Sequence, residues 1–197
     1  MCIYRFELQS KNFNNFFNHK FNENFASTIL KHIFSYSLCN HGNDLNEPDL
    51  LFDGKEWFEI ALICDSKKRN NLVQRIINGQ FKSEDVEIDL LCMMQERIKD
   101  KSTKKYVNIH PNLCLICPVP MIEWIAPISN IDMLFYSTKQ KFFDNLYSEY
   151  VERGLFNDIY IIVPNIDASW TLIDLKGKRA CFKGKQDDIN YPYYIIV

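Results

Sequence analysis

The sequence predicts an α/β protein with a central mixed sheet of four to six strands flanked by helices. Three observations carry that expectation. Two apolar runs, Leu113-Cys114-Leu115-Ile116-Cys117 and Ile159-Tyr160-Ile161-Ile162-Val163, have the length and continuity of strands buried on both faces. Apolar residues recur at helical spacing between and around them. A third apolar stretch, 47–64, folds back on itself at Asp53-Gly54, a strong hairpin signal.

The elements follow in order. Residues 1–23 alternate weakly, with Phe13, Phe16, Phe17 and Phe21 among five asparagines. They fit an edge strand followed by a short helix, or a segment docked on the core. The spacing of Phe25, Ile29, Ile33 and Phe34 predicts a helix over 24–38, with Asn24 as its cap. His41-Gly42-Asn43-Asp44 reads as a loop. In the hairpin's second strand Trp57, Glu59, Ala61 and Ile63 share one face and Phe58, Ile60 and Leu62 the other. Both faces are mostly apolar, as expected of a strand covered on both sides.

Residues 65–82 are polar, with a short amphipathic run (Leu72, Val73, Ile76, Ile77) ended by Gly79. A helix is expected from Ser83 to about Asp100. Ser83 caps it, Glu84, Asp85 and Glu87 suit its first turn, and Lys99 and Lys101 suit its C-terminal end. Val86, Leu90, Met94 and Ile98 form its apolar stripe. A strand over 106–118 ends at Pro118 and Pro120. A further helix over about 138–153 presents Phe143, Leu146, Tyr147, Tyr150 and Val151 and closes at Gly154. A strand over 158–163 follows, then short strands at 170–174 and 193–197 around the loop Lys176-Gly177-Lys178. No repeat and no long linker divides residues 1–197, so one domain is expected.

Composition bounds the function. The 197 residues suffice for one well-buried core, and no apolar run is long enough to span a membrane. The N-terminus lacks the apolar centre of a secretory signal, and the seven cysteines are irregularly spaced. Both point to reduced thiols in a cytoplasm. A net charge of −2 counts against strong general affinity for nucleic acid, although basic clusters stand at 67–69, 99–105 and 176–185. The same charge suits a protein that meets a basic protein partner. Heavy use of Asn, Lys and Ile suggests an AT-rich bacterial genome. Six glycines, none at P-loop or dinucleotide spacing, argue against nucleotide-dependent chemistry.

The candidate site is a pair of acids, Asp49 and Glu59, within the apolar hairpin. Carboxylates are rare inside strands unless paired or bound to metal. Two of them on one hairpin suit a hard divalent cation, Mg²⁺ or Mn²⁺. A two-residue loop at Asp53-Gly54 sets Asp49 opposite Phe58, with the carboxylates on opposite faces. A three-residue loop, Asp53-Gly54-Lys55, sets Asp49 opposite Glu59 on one face. The bland alternative is a strand-start aspartate and a glutamate paired with a nearby lysine.

Pro48-Asp49, then nine residues, then Glu59-Ile60-Ala61 resembles the signature of the PD-(D/E)xK, restriction-endonuclease-like nuclease superfamily. The resemblance covers about residues 24–118, leaving 119–197 as a C-terminal helix and strands. It implies a restriction-endonuclease-like core, Asp49 and Glu59 as Mg²⁺ ligands, and hydrolysis of phosphodiester bonds in nucleic acid, DNA before RNA. The family's lysine position is Ala61 here. Lys67 and Lys68 after the strand, and Lys99, Lys101, Lys104 and Lys105 at the end of the next helix, are the available substitutes. For each the bland reading is a solvated charge near a helix end. Glu47 and Glu23 are candidate extra carboxylates, with loop-end and first-turn roles as alternatives.

Cys114-Leu115-Ile116-Cys117 has half a zinc spacing, but no second pair of ligands accompanies it, so buried thiols are expected. The four histidines form no ligand or nucleophile pattern. The alternative function is a non-catalytic cytoplasmic binding protein, immunity- or antitoxin-like, or a degenerate nuclease fold that masks a basic partner. The absent lysine at position 61 and the acidic balance favour it. A homodimer is compatible with either reading.

Overall fold

A computed structural model of the chain describes residues 6–8, 19–43, 47–63, 67–68, 71, 83–106, 108–117, 141–164, 169–177, 179–185 and 194–196. The elements in order are β1 (Phe6–Leu8), α1 (His19–Phe34), β2 (Leu38–His41), β3 (Leu50–Phe52), β4 (Glu56–Leu62) and α2 (Ser83–Ser102). They continue with β5 (Asn112–Ile116), α3 (141–151), β6 (Ile159–Pro164), β7 (Ser169–Asp174), β8 (Arg179–Lys185) and β9 (Tyr194–Ile196).

The main sheet has seven strands in the order β2-β3-β4-β5-β6-β7-β8, one more than the upper expectation. β4, β5 and β6 are parallel, and the pairs on either side are antiparallel, so the sheet is mixed and the α/β class holds. β1 and β9 form a separate two-stranded sheet. The tail strand expected at 193–197 therefore pairs with the N-terminal strand and not with the main sheet. The crossovers from β4 to β5 and from β5 to β6 step in one direction, so crossovers of one hand put α2 and α3 on one face.

That face is filled by Leu90, Met94 and Ile98 of α2 and by Phe143, Leu146, Tyr150 and Val151 of α3. They meet Ala61, Ile63, Leu113, Leu115, Ile159 and Ile161 from the sheet. The opposite face packs Phe25, Ala26, Ile29 and Leu30 of α1 on Leu50, Phe52, Phe58, Ile60, Cys114, Ile116 and Ile162. All five residues of β5 are buried, which matches the apolar run that follows Asn112. The division of β4 into two faces matches the alternation read from its residues.

Several boundaries differ from expectation. α1 ends at Phe34, and Ser35 adopts a left-handed conformation (φ +56°) that stops it, so that 38–41 form a strand. Apolar spacing cannot detect that stop. The strand expected over 106–118 begins only at Asn112, because Tyr106 pairs back to Ile109 in a tight turn with Asn108 at φ +58°. α3 ends with its last turn, Tyr147–Val151, in the wider π form, and Gly154 (φ +73°) follows. The run at 72–79, Pro118 and Pro120, and Thr138 lie outside the described residues. No helix among the described residues is long and apolar enough to cross a membrane.

Candidate active site

The β3–β4 connection decides the geometry. Leu50 pairs with Phe58, Leu51 with Trp57 and Phe52 with Glu56, leaving the three-residue turn Asp53-Gly54-Lys55. Asp53 (φ +50°) and Gly54 (φ +70°) both take positive φ, as at the centre of a type I′ turn, and Lys55 N–H donates to the Phe52 carbonyl. The turn is tied to residue 37: Asp53 N–H donates to the Ser37 carbonyl, and Ser37 N–H donates to Asp53 Oδ1, each at 2.9 Å. One step beyond Leu50–Phe58, this register sets Asp49 across from Glu59.

Asp49 stands just before β3, not inside it. Its Oδ2 accepts the Ile60 N–H at 2.6 Å, and its carbonyl accepts the Gly42 N–H at 3.0 Å. A Cβ on Gly42 would sit 1.7 Å from the Pro48 carbonyl oxygen, so this close approach requires glycine. Gly42, read only as part of a loop, thus holds the Pro48-Asp49 backbone in place.

Glu59 is 1% exposed in the middle of β4. An ionised carboxylate there needs partners, and the end of α2 supplies them. Arg97 Nε donates to the Leu62 carbonyl at 2.8 Å and Nη1 to Asp100 at 3.2 Å, docking α2 on the end of β4. Lys101, one helical turn later on the same side, reaches Glu59 Oε1 at 2.5 Å. Ser102 and Thr103 return their hydroxyls to the Lys99 and Asp100 carbonyls, and Lys104 N–H bonds the Lys101 carbonyl. The chain curls there, and Lys104 Nζ meets the same oxygen at 2.7 Å. The Tyr106 hydroxyl donates to Glu59 Oε2.

Burial alone would push the Glu59 carboxyl up. The Lys101 charge and the hydrogen bonds from Lys101, Lys104 and Tyr106 outweigh it and hold Glu59 below the usual range. Lys104 loses some basicity to burial but is raised overall by its bond to Glu59 and by the charges of Glu59 and Asp49. Two carboxylates are thus balanced by two ammonium groups in one partly closed cluster.

The other candidates disperse. Lys68 pairs with Glu96 at 2.8 Å on the surface, and Lys67, Lys99 and Lys105 are exposed. Glu23 meets His41 at 3.4 Å, and Glu47 accepts from Asn43 at 2.9 Å, a loop-end role. Among the described residues no group of three or more His, Cys, Asp or Glu is placed to hold a metal. Asp49 and Glu59 are nevertheless a sufficient protein donor set for Mg²⁺, which commonly takes one or two carboxylates and completes its shell with water and substrate phosphate. Binding there requires that a donor leave Glu59. Cys114 and Cys117 are both buried but belong to opposite faces of the sheet, so they do not form a joint ligand pair. Burial pushes the Cys114 thiol up, as in an inert core cysteine.

A second acidic pair was not singled out by sequence. Asp158, just before β6, and Asp174, at the end of β7, are 4% and 5% exposed. Burial, the Asp174 charge and a hydrogen bond shared with Asp174 lift Asp158 to about 7, against bonds from the Ile159 and Lys176 N–H groups that favour its ionised form. Asp174 also accepts the Gly177 N–H at 2.6 Å, which fixes the β7–β8 turn. Tyr160, cross-strand partner of Asp174, is raised by burial and by both carboxyl groups.

Comparison of the chain with protein-family models, with curated proteins and with solved structures gives no match.

Proposed function

We propose that the chain is a metal-dependent nuclease with a restriction-endonuclease-like core, hydrolysing phosphodiester bonds, with DNA as the first substrate to test. The observation that carries this reading is the β3–β4 register, which brings Asp49 to the position opposite Glu59, with Lys104 bonded to Glu59 and raised by both charges. The element order supports it: a helix, three antiparallel-linked strands, a helix, and a strand parallel to the third. So does the arrival of two lysines at Glu59 from the end of α2, which offers the charge that Ala61 lacks.

In this reading Asp49 and Glu59 hold the cation, Mg²⁺ or Mn²⁺. When bound, it supplies charge stabilisation at the phosphate. The chain's own groups do the rest. Lys104, half-exposed, attends the phosphate and the attacking water, and Lys101 keeps Glu59 ionised. Water adds to phosphorus in line as the bond to the leaving oxygen breaks, the water giving up a proton to solvent and the leaving oxygen taking one up.

A second reading is favoured by the saturation of Glu59, whose two oxygens accept from three donors. Such a cluster serves equally as a buried ion pair in a binding protein of this fold, and the net charge of −2 suits a basic partner.

The deciding experiment incubates wild type, Asp49→Asn and Glu59→Gln with plasmid DNA, single-stranded DNA and RNA, with Mg²⁺ or Mn²⁺. Metal-dependent cleavage by the wild type, lost in both variants, supports the nuclease. No cleavage of any substrate with either metal overturns it and leaves the binding protein.

A further inference from the structure

Lys101 and Lys104 both meet Glu59 Oε1, yet their surroundings differ. The Lys101 side chain is 12% exposed and projects from the last turn of α2, which Arg97 anchors to β4. The Lys104 side chain is 40% exposed and follows the helix end, held there by the single turn that returns its N–H to Lys101. The charges of Glu59 and Asp49 both raise Lys104. Its greater exposure puts it on the open side of Glu59.

An ammonium and a divalent cation compete for the same oxygen, and the group with more solvent and less helical restraint gives way more easily. We infer that the two lysines have separate roles at this site: Lys101 is a positioning residue that permanently holds Glu59, and Lys104 is the exchangeable donor, released from Oε1 on cation binding and then free to face an anionic substrate. The inference rests on the nuclease reading and extends it. In the cation-free protein Lys104 occupies the place of the second positive charge, which keeps the carboxylates together before metal arrives.

The test titrates the full-length chain with Mn²⁺ by calorimetry and follows thermal melting, for wild type, Lys104→Met, Lys101→Met and Lys101→Arg. Removing the competing ammonium in Lys104→Met should tighten Mn²⁺ binding by about tenfold or more, with a smaller loss of melting temperature than Lys101→Met. Lys101→Met should not share that gain and should melt well below wild type, and Lys101→Arg should recover most of the loss. Equal gains at both lysines, no gain at Lys104→Met, or equal losses of melting temperature would overturn the division of roles. If wild type binds Mn²⁺ and cuts DNA while Lys104→Met gains nothing, the inference fails and the nuclease stands. If neither protein binds Mn²⁺ and nothing is cut, both fall.

Discussion

The pairing of Phe52 with Glu56 and of Leu50 with Phe58 brings Asp49, one step beyond, to the position opposite Glu59. Side chains alternate with a period of two, so a slip of one residue would send the two carboxylates to opposite faces of the sheet. The site is therefore a consequence of hairpin register, and register is where it is most open to test.

Lys55 is the extra residue of the turn. Asp53 and Gly54 already have the positive φ values of a two-residue type I′ connection. Deleting Lys55 would let Phe52 still pair with Glu56 and Asp49 still face Glu59. We expect the deletion variant to melt within a few degrees of wild type and to keep any metal binding. Inserting a glycine after Leu51 instead shifts Asp49 by one position, and metal binding should be lost.

Gly42 has no room for a Cβ, with the Pro48 carbonyl oxygen 1.7 Å from its place. Gly42→Ala must move the backbone that carries Asp49. A cost of about 1–3 kcal/mol is expected, or roughly 2–12 °C in melting temperature, together with weaker metal binding. A wild-type melting curve would show that the 42–48 contact adapts freely.

Glu59 and Lys101 form a buried pair, and without Lys101 the carboxylate keeps only Lys104 and Tyr106 as donors. Lys101→Met should cost about 3–5 kcal/mol. The double variant Glu59→Leu with Lys101→Met should recover part of that loss, because no unpaired charge remains buried at this contact. Chemical denaturation of the single and double variants measures both. A double variant less stable than either single one would contradict the argument.

Asp158 gives a pH signature. Its folded-state value, about 7, lies above the ordinary 3.8. Between these values the folded protein holds a proton that the unfolded chain has released, so this contribution is complete below pH ~4 and falls as pH rises through ~7. The expected span is roughly 2–4 kcal/mol. Asp158→Asn supplies a neutral donor toward Asp174 and keeps an acceptor for the Ile159 and Lys176 N–H groups. It should flatten the slope of stability between pH 4 and 7 and raise stability at pH 8. Parallel pH–stability curves for the two proteins would refute the shared proton.

Much of the architecture was legible because it rests on local periodicity. The stripe of Leu90, Met94 and Ile98 and the apolar run from Leu113 to Cys117 are buried where expected, and the alternation along β4 reports its two covered faces, with Trp57 and Leu62 half-buried near its ends. Failures fell where a backbone conformation, not a hydrophobic pattern, sets the boundary. Ser35 and Asn108, both at positive φ, end α1 and delay β5, and neither is a glycine that would have signalled it. Asp158 reads locally as a strand start, and nothing near it in the chain shows that Asp174 comes to lie beside it.

By itself, then, the sequence determined the α/β class, the helix faces, the hairpin and the presence of two acids in an apolar stretch. These follow from side-chain chemistry at separations of two to four residues. Only the packed fold brings Asp49 opposite Glu59 in register, converges Lys101, Lys104 and Tyr106 on Glu59, and sets Lys68 against Glu96. The three donors stand 42, 45 and 47 residues along the chain from Glu59. At such separations the partner is chosen by how α2 docks on the sheet, and that docking comes from packing and from Arg97 on the Leu62 carbonyl, which no run of neighbouring residues encodes.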